Sequence, residues 1–271
     1  MGIRKQVATI DRELWSEPGS AITHEDVAGL PDPIRRWVIA AGGVGSPRSA
    51  SVRLRIEGEM KPKPGASPFE IKADETIGFG RGFVWKARSR IGLFQMSVLD
   101  AYHRSEGFMK GRFIGIVPLM NAAGDDITRS ARHRLAAESA LFPTGLIPRD
   151  GLRWEAVDGE RATVVITIDG EDIPITVAVD DDGDVAEVTM QRWGDVRRDG
   201  YGLIPYGFQV EKTKEFGGLR VPARVRGGWW YGSDRYEPDD ASMFEFVGVQ
   251  FPSPLVGEGG SAPDGAESDG G

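Results

Sequence analysis

The sequence predicts an α+β fold, in which one large curved antiparallel sheet, a half-barrel or open barrel, has two or three helices packed across it. Three observations favour this class: apolar and polar residues alternate along many short runs, Asp-Gly steps separate several runs, and strands do not alternate with helices. Asp-Gly is typical of tight hairpin turns, which join antiparallel strands. We expect roughly ten or more strands, and a sheet of that size curls around a cavity.

The first half of the chain predicts a short helix followed by strands. Asp32-Pro33 is typical of a helix start and Gly42-Gly43 of a helix end. Alternation then predicts strands in residues 51–57 and 83–88, and in 93–112 with Gly92 and Gly107 as breaks.

A second helix is predicted over residues 127–142, after a loop from Gly115 to Gly124 and with Asp125-Asp126 as its cap. Beyond Pro148 we expect a meander of hairpins. The turns are predicted at three Asp-Gly steps, namely Asp158-Gly159, Asp169-Gly170 and Asp182-Gly183. Further strands are expected around 209–216, 219–231 and 243–251.

The chain of 271 residues, 40% of them hydrophobic, is long enough to bury one large core. We expect a single curved-sheet domain over residues 30–251, preceded by an N-terminal extension over 1–29. Residues 252–271 are rich in Gly, Ser, Pro and acidic residues, and this composition predicts a disordered acidic tail.

Composition narrows the classes of function. The net charge of -8 argues against nucleic acid as a partner, and the absence of cysteine excludes disulfides and thiolate chemistry. No apolar run reaches the roughly 18 residues that a membrane span needs, and we expect a cytoplasmic protein without a signal peptide. With three scattered histidines, neither a metal nor another cofactor is expected. The acidic run Asp180–Asp184 lacks calcium-loop spacing and predicts a turn. The oligomeric state stays open.

Glu138 is the most informative residue of the predicted second helix. At about 100° per residue, it falls within one narrow apolar stripe, whose other members are Ile127, Ala131, Leu135 and Phe142. Arg129, Arg132 and His133 are expected on a solvated opposite or flanking face. A carboxylate inside an apolar stripe must be paired, for example with Arg88 or Arg153, be protonated, or face a cavity.

Other candidate residues lie on predicted strands. Asp100, Tyr102 and His103 form a polar cluster in which Asp100 and Tyr102 share a face, although an edge strand turning toward solvent explains the cluster equally well. For ligand contact the candidates are aromatic side chains and one arginine, with core packing as the alternative: Phe83, Trp85, Phe142, Trp154, Trp193 and Arg88.

Three segments, at 30–37, 82–88 and 137–156, together resemble an uncharacterised bacterial family, a domain of unknown function common in actinobacteria. The most specific of them runs from Ala137-Glu138 through Phe142-Pro143-Thr144-Gly145-Leu146 to Arg153-Trp154-Glu155-Ala156. The resemblance implies a curved antiparallel sheet of the lipoprotein-carrier (Lol) type, with helices closing over a hydrophobic cavity, and implies no activity. Thr128 and Ala131 stand where the family is expected to carry acidic residues, whereas Glu138 is kept.

Our leading hypothesis is a carrier or sensor-like module that binds a hydrophobic or amphipathic small molecule, with Glu138 meeting its polar group. The alternative is a cofactor-independent enzyme, an isomerase, cyclase or hydrolase. In that enzyme Glu138 performs acid-base chemistry with Asp100, Tyr102 or His103. A protein interaction module is a third and weaker class.

Overall fold

The computed structural model describes residues 3–61, 65–91, 94–114 and 117–253. Within these ranges four α-helices are found, with the bounds α1 Ile3–Leu14, α2 His24–Ala28, α3 Asp32–Ala40 and α4 Asp125–Ser139. Thirteen strands are found: β1 Ser51–Met60, β2 Phe69–Gly78, β3 Gly82–Ile91, β4 Phe94–His103, β5 Glu106–Phe113, β6 Val117–Ala123, β7 Leu152–Ala156, β8 Arg161–Ile168, β9 Glu171–Val179, β10 Val185–Gly194, β11 Gly202–Phe216, β12 Leu219–Trp229 and β13 Ser242–Gln250.

All of these strands belong to one antiparallel sheet, in the order β6-β5-β4-β3-β2-β1-β13-β12-β11-β10-β9-β8-β7. The sheet consists of two meanders, β1–β6 and β7–β13, which join where β1 pairs with β13. It forms a half-barrel, and the predicted α+β curved-sheet class is confirmed. Strand pairing is sequential everywhere except at this junction, and α4 connects the two outer edges.

The Asp-Gly steps form the predicted turns. Asp169 and Gly170 both adopt positive φ, 49° and 78°, between the paired ends of β8 and β9, as a two-residue hairpin of type I′ requires. Gly183 adopts a φ of 79° in the turn between β9 and β10. The acidic run Asp180–Asp184 is therefore a hairpin turn, as predicted.

Three local predictions were wrong. The turn between β4 and β5 falls at Arg104-Ser105, both with positive φ, and Gly107 lies inside β5; neither turn residue is a type that signals positive φ. Part of the expected loop 115–124 is the edge strand β6. Helix α4 begins at Asp125 behind the N-cap Gly124 and ends at Ser139, so that Phe142, predicted to be helical, lies beyond it. Gly92 lies outside the described residues.

Helix α1, which the sequence did not predict, packs on the convex side of the sheet. Ile10 and Leu14 form a small second core with Val84, Leu99 and Ala101. Arg53 of β1 donates two hydrogen bonds to the Asp11 carboxylate, at 2.9 and 3.1 Å, and holds the same helix. Helix α1 therefore covers part of the convex face, and the charged side chains on the rest of that face are exposed to solvent.

The main core lies on the concave side. Helix α3 contributes Ile34 and Trp37, both essentially fully buried, and contacts β8 and β9. Helix α4 crosses the same side and contacts strands of both meanders, among them β4, β5, β9 and β10. The crossing helix leaves part of the concave side unfilled, and the candidate site lies there.

None of the helices described is long and apolar enough to cross a membrane. The predicted tail lies almost entirely outside the described residues, from 254 onward.

Candidate functional site

The concave side of the sheet encloses a cavity of about 450 Å³ beneath α4. This volume lies within the range of small-molecule sites. Most of the lining is aliphatic or aromatic: Leu54, Ile56, Met60, Ile77, Trp85, Val98, Met109, Met120, Leu141, Phe142, Phe208, Val225, Trp229, Phe244 and Phe246. The lining comes from both meanders because the curved sheet brings them to face each other.

One wall carries a buried charged cluster centred on Arg134 of α4. Its guanidinium donates to Asp100 at 2.7 Å, to Glu75 at 3.0 Å and to Glu138 at 2.7 Å. Glu75 and Asp100 stand on β2 and β4, the two strands that flank β3. Their side chains are 2% and 8% exposed. Arg134 also lies over the rings of Phe83 and Trp85, with its guanidinium carbon 4.6 and 5.1 Å from the ring centres. Arg134 thus ties α4 to two strands of the first meander.

Three carboxyl groups share this single cation. Burial raises the pKa of Glu75 well above its usual range, and the neighbouring Glu138 carboxylate raises it further, against the opposing effect of Arg134. The raised pKa favours the protonated form of Glu75, a neutral carboxylic acid within the cluster. The pKa of Arg134 is also raised: burial lowers it, but its carboxyl partners outweigh the burial.

The opposite wall carries a second arginine with different surroundings. Arg192 of β10 lies against two aromatic side chains, with its guanidinium carbon 4.6 Å from the ring centre of Tyr206 and 4.7 Å from that of Trp229. Its Nε is buried without a hydrogen-bond partner. Burial raises the pKa of Tyr206. The charge of Arg192 and a hydrogen bond with it lower this pKa, and the charge of Glu138 raises it. The two polar walls therefore face the same space.

The other side of α4 binds the second meander through Glu171, where Arg129 and Arg132 each donate to the carboxylate at 2.7 Å. His133 was expected on a solvated face, and this was wrong: it is 3% exposed. The backbone N–H of Trp193 donates to His133 Nδ1 at 3.1 Å, so Nε2 carries the proton toward Glu171, 3.0 Å away. Burial lowers the pKa of His133. Two polar sides of one helix are buried because α4 lies between two meanders.

The predicted acid-base residues separate into two groups. Glu138 and Asp100 meet at Arg134 in the cavity, and Arg134, rather than Arg88 or Arg153, is the partner of Glu138. Tyr102 shares the concave face but lies outside the cavity, where its hydroxyl donates to Asp169. Its pKa is raised to about 12, by burial first and then by Asp169. His103 lies on the convex side against Glu13 of α1.

The predicted ligand-binding residues also divide. Trp85 and Phe142 line the cavity, and Phe83 lies beneath Arg134 without lining it. Trp154 donates its indole N–H to the carbonyl of Leu146 at 3.2 Å and belongs to the main core. Two further residues are outside the cavity: Trp193 stacks near Arg129 and Tyr201, and Arg88 pairs with Asp74 on the convex side. Their roles stay predictions.

The sequence analysis missed three charged residues of the cavity, namely Glu75, Arg134 and Arg192. Arg134 could have been predicted as the partner of Glu138, because it stands four residues before Glu138 and therefore one helical turn away. Glu75 and Arg192 had no such signal, since each lies on a strand whose partners across the cavity are distant in the chain. Within the described residues, no group of histidines and carboxylates is arranged to hold a metal ion.

The fold and the cavity define a class of protein, a half-barrel of antiparallel strands with a helix across its concave side. Within that class, the chain belongs to a family of unknown function, DUF6544, whose model matches residues 20–238. The expected uncharacterised family with a curved antiparallel sheet is thereby confirmed. No curated protein matches the sequence.

Three solved structures are similar to this chain at low identity. A DUF1329 family protein from Desulfovibrio piger is 9% identical over 88% of this chain and 96% of its own, with a TM-score of 0.39. A candidate outer membrane lipoprotein-sorting protein domain from Vibrio parahaemolyticus is 10% identical over 77% and 89%, with a TM-score of 0.42. A LolA superfamily protein from Nitrosomonas europaea is 11% identical over 85% and 94%, with a TM-score of 0.43.

Proposed function

We propose that this protein binds a hydrophobic or amphipathic small molecule in the concave cavity, as a carrier or sensor-like module. The observation that carries the proposal is the lining: a volume of about 450 Å³ is bounded mostly by aliphatic and aromatic side chains. Burying apolar ligand surface there contributes roughly 25 cal/mol per Å². A few fixed polar groups at the walls would then orient the ligand.

The rigidity of the walls supports the same function. Phe142, fully buried in the segment that follows α4, packs against Phe79, Phe246 and Phe251, with ring centres 6.0 to 6.3 Å apart. Arg134 ties the opposite side of the cavity to β2 and β4. A cavity whose walls are packed and bonded in this way is formed before a ligand arrives, which lowers the entropic cost of binding.

The test is a cavity-filling variant. Val98 of β4 lines the cavity, and Val98→Phe would occupy its apolar part. Val247 of β13 stands on the convex face and is 43% exposed, so Val247→Phe is the matched control. The uncharged fluorescent probe N-phenyl-1-naphthylamine should bind the wild type and Val247→Phe alike, and bind Val98→Phe at least tenfold more weakly. Equal binding by all three proteins, or none by the wild type, would overturn the proposal.

One observation favours a second candidate function, a cofactor-independent enzyme. The raised pKa of Glu75 favours its protonated form beside the Glu138 carboxyl group at one wall of the cavity, and two carboxyl groups in different environments are the pairing that proton-transfer catalysis uses. Glu138 and Asp100 would act on a hydrophobic substrate, whereas Tyr102 and His103 lie outside the cavity. Conversion of a cavity ligand, followed by mass spectrometry, should then depend on pH and be lost in Glu138→Gln. Recovery of every bound ligand unchanged excludes this candidate.

A further inference from the structure

The two arginines of the cavity differ in their partners. Arg134 has three carboxyl partners and is already the donor to each of them. For Arg192, the described part of the chain places no carboxylate within the 4.0 Å that defines an ion pair. Its guanidinium is held against the rings of Tyr206 and Trp229, and its Nε lacks a hydrogen-bond partner. A half-buried, oriented and uncompensated cation of this kind is suited to an anionic group.

Arg192 lies against Trp229, a side chain that lines both the cavity and a second hollow. The second hollow has a volume of about 670 Å³ and also shares Ser130 with the cavity. It is lined by Arg197, Arg198 and Arg235, for which the described residues likewise provide no carboxylate within 4.0 Å. Its acidic lining residues are Asp195, Glu237 and Asp240, and Asp240 is paired with Lys61 at 3.3 Å. The potential in this second hollow therefore favours an anion.

We propose that the cavity ligand is a single-chain amphiphile with a carboxylate head group, which Arg192 binds while the chain lies among the apolar residues of the inner cavity. The assignment rests on the proposed function and adds the chemical class of the ligand. A carboxylate matches the planar fork of a guanidinium in a bidentate hydrogen bond. Trp229 and Tyr206 hold that fork in place, so little side-chain freedom is lost on binding.

A cationic head group at Glu138 is the competing arrangement. Glu138 Oε2 is buried without a hydrogen-bond partner. However, Glu138 Oε1 accepts a hydrogen bond from Arg134 Nε at 2.7 Å, so the carboxyl group already has a cation beside it. Glu138 is thus already compensated, whereas Arg192 is not. The structure therefore favours an anion at Arg192 over a cation at Glu138.

The experiment compares three ligands with the same chain, namely dodecanoate, 1-dodecanol and dodecylamine, by isothermal titration calorimetry below their critical micelle concentrations. The wild type should bind dodecanoate at least tenfold more tightly than the other two. Arg192→Met should weaken dodecanoate binding about 10- to 100-fold, the loss expected for a charge-assisted hydrogen bond, and leave dodecanol binding within about twofold. Arg192→Lys keeps the charge without the fork and should give an intermediate affinity. Arg55→Met, at an exposed position on the convex face, is the matched control and should bind all three like the wild type.

Each remaining outcome overturns the inference. Equal affinity for the three ligands would leave the cavity-binding function in place and remove the carboxylate specificity. A preference for dodecylamine that Glu138→Gln abolishes would assign the polar group to Glu138 instead. Binding of none of the three ligands by a wild type that still binds N-phenyl-1-naphthylamine would refute the ligand class alone. Unchanged unfolding curves for Arg192→Met verify that lost affinity is not lost folding.

Discussion

Arg134 and Glu138 stand one helical turn apart on α4, and Arg134 Nε donates to Glu138 Oε1 at 2.7 Å inside the cavity. The pair explains how a carboxylate fits within the apolar stripe of this helix. Glu138 is compensated by a residue of its own helix, and that residue is in turn shared with Glu75 and Asp100 of the sheet. The cluster therefore contributes to the docking of α4 and to the polarity of the cavity at once.

Arg134→Met should destabilise the protein strongly. The change leaves three buried carboxyl groups without their cation, and removal of one member of a buried ion pair costs about 3–5 kcal/mol. The free energy of unfolding in urea measures the loss. Arg55→Met, at an exposed position of β1, is the matched control and should stay within about 0.5 kcal/mol of the wild type. A loss of the same small size for Arg134→Met would show that the cluster does not hold the helix.

Glu138→Gln should change the free energy of unfolding by no more than about 1 kcal/mol in either direction. The glutamine retains a carbonyl oxygen for Arg134, Asp100 remains as a carboxyl partner of the same arginine, and the charge that helps to raise the pKa of Glu75 is removed. Urea denaturation at neutral pH gives the comparison, with Glu106→Gln at an exposed position as control. A loss of roughly 3 kcal/mol or more would instead identify Glu138 as an obligatory structural partner.

Glu75 should make the wild type less stable as pH rises. Its pKa is raised in the folded protein from the ordinary 4.5, so above pH 4.5 the unfolded chain loses this proton first and is favoured. The stability that the protonated group contributes is complete below the ordinary pKa and disappears as pH rises through the folded value. Glu75→Gln removes this dependence. The free energy of unfolding of Glu75→Gln should therefore rise relative to that of the wild type between pH 5 and pH 8. A difference between the two proteins that stays constant over this range would contradict the raised pKa.

Glu171 should have the opposite pH dependence. Burial alone would raise its pKa, but bonds from His133, Arg129 and Arg132 lower it to about 2. Its contribution is then present above the ordinary pKa of 4.5 and is lost as pH falls toward 2. The wild type should exceed Glu171→Gln in stability at pH 6, and the difference should shrink between pH 4.5 and pH 3. Thermal unfolding of both proteins across this range measures it, and a difference that grows toward pH 3 would refute the assignment.

The sequence predicted the sheet well because its signals are local. Asp169-Gly170 identifies a hairpin from two adjacent residues, and the alternation of Val52, Leu54 and Ile56 identifies a half-buried strand from five. The turn at Arg104-Ser105 was missed because those residues adopt positive φ without a local signal. The surrounding hairpin imposes the conformation on them.

The site was only partly predictable. Glu138 was identified because a carboxylate interrupts a helical apolar stripe, and Asp100 because it shares a strand face with Tyr102. Glu75 and Arg192 became visible only when the curved sheet brought distant strands together. His133 was misplaced for a related reason. A helix between two meanders buries more than one side, and a helical periodicity does not reveal how many neighbours a helix has.

The position of a bound ligand tests the central claim most directly. Crystals grown with 12-bromododecanoate would show the bromine by its anomalous scattering, independently of the quality of the density for the chain. The account predicts a bromine peak among Leu54, Ile56 and Phe246, with the carboxylate within hydrogen-bond distance of Arg192. A bromine peak on the convex face, or a cavity without ligand at saturating concentration, would contradict it.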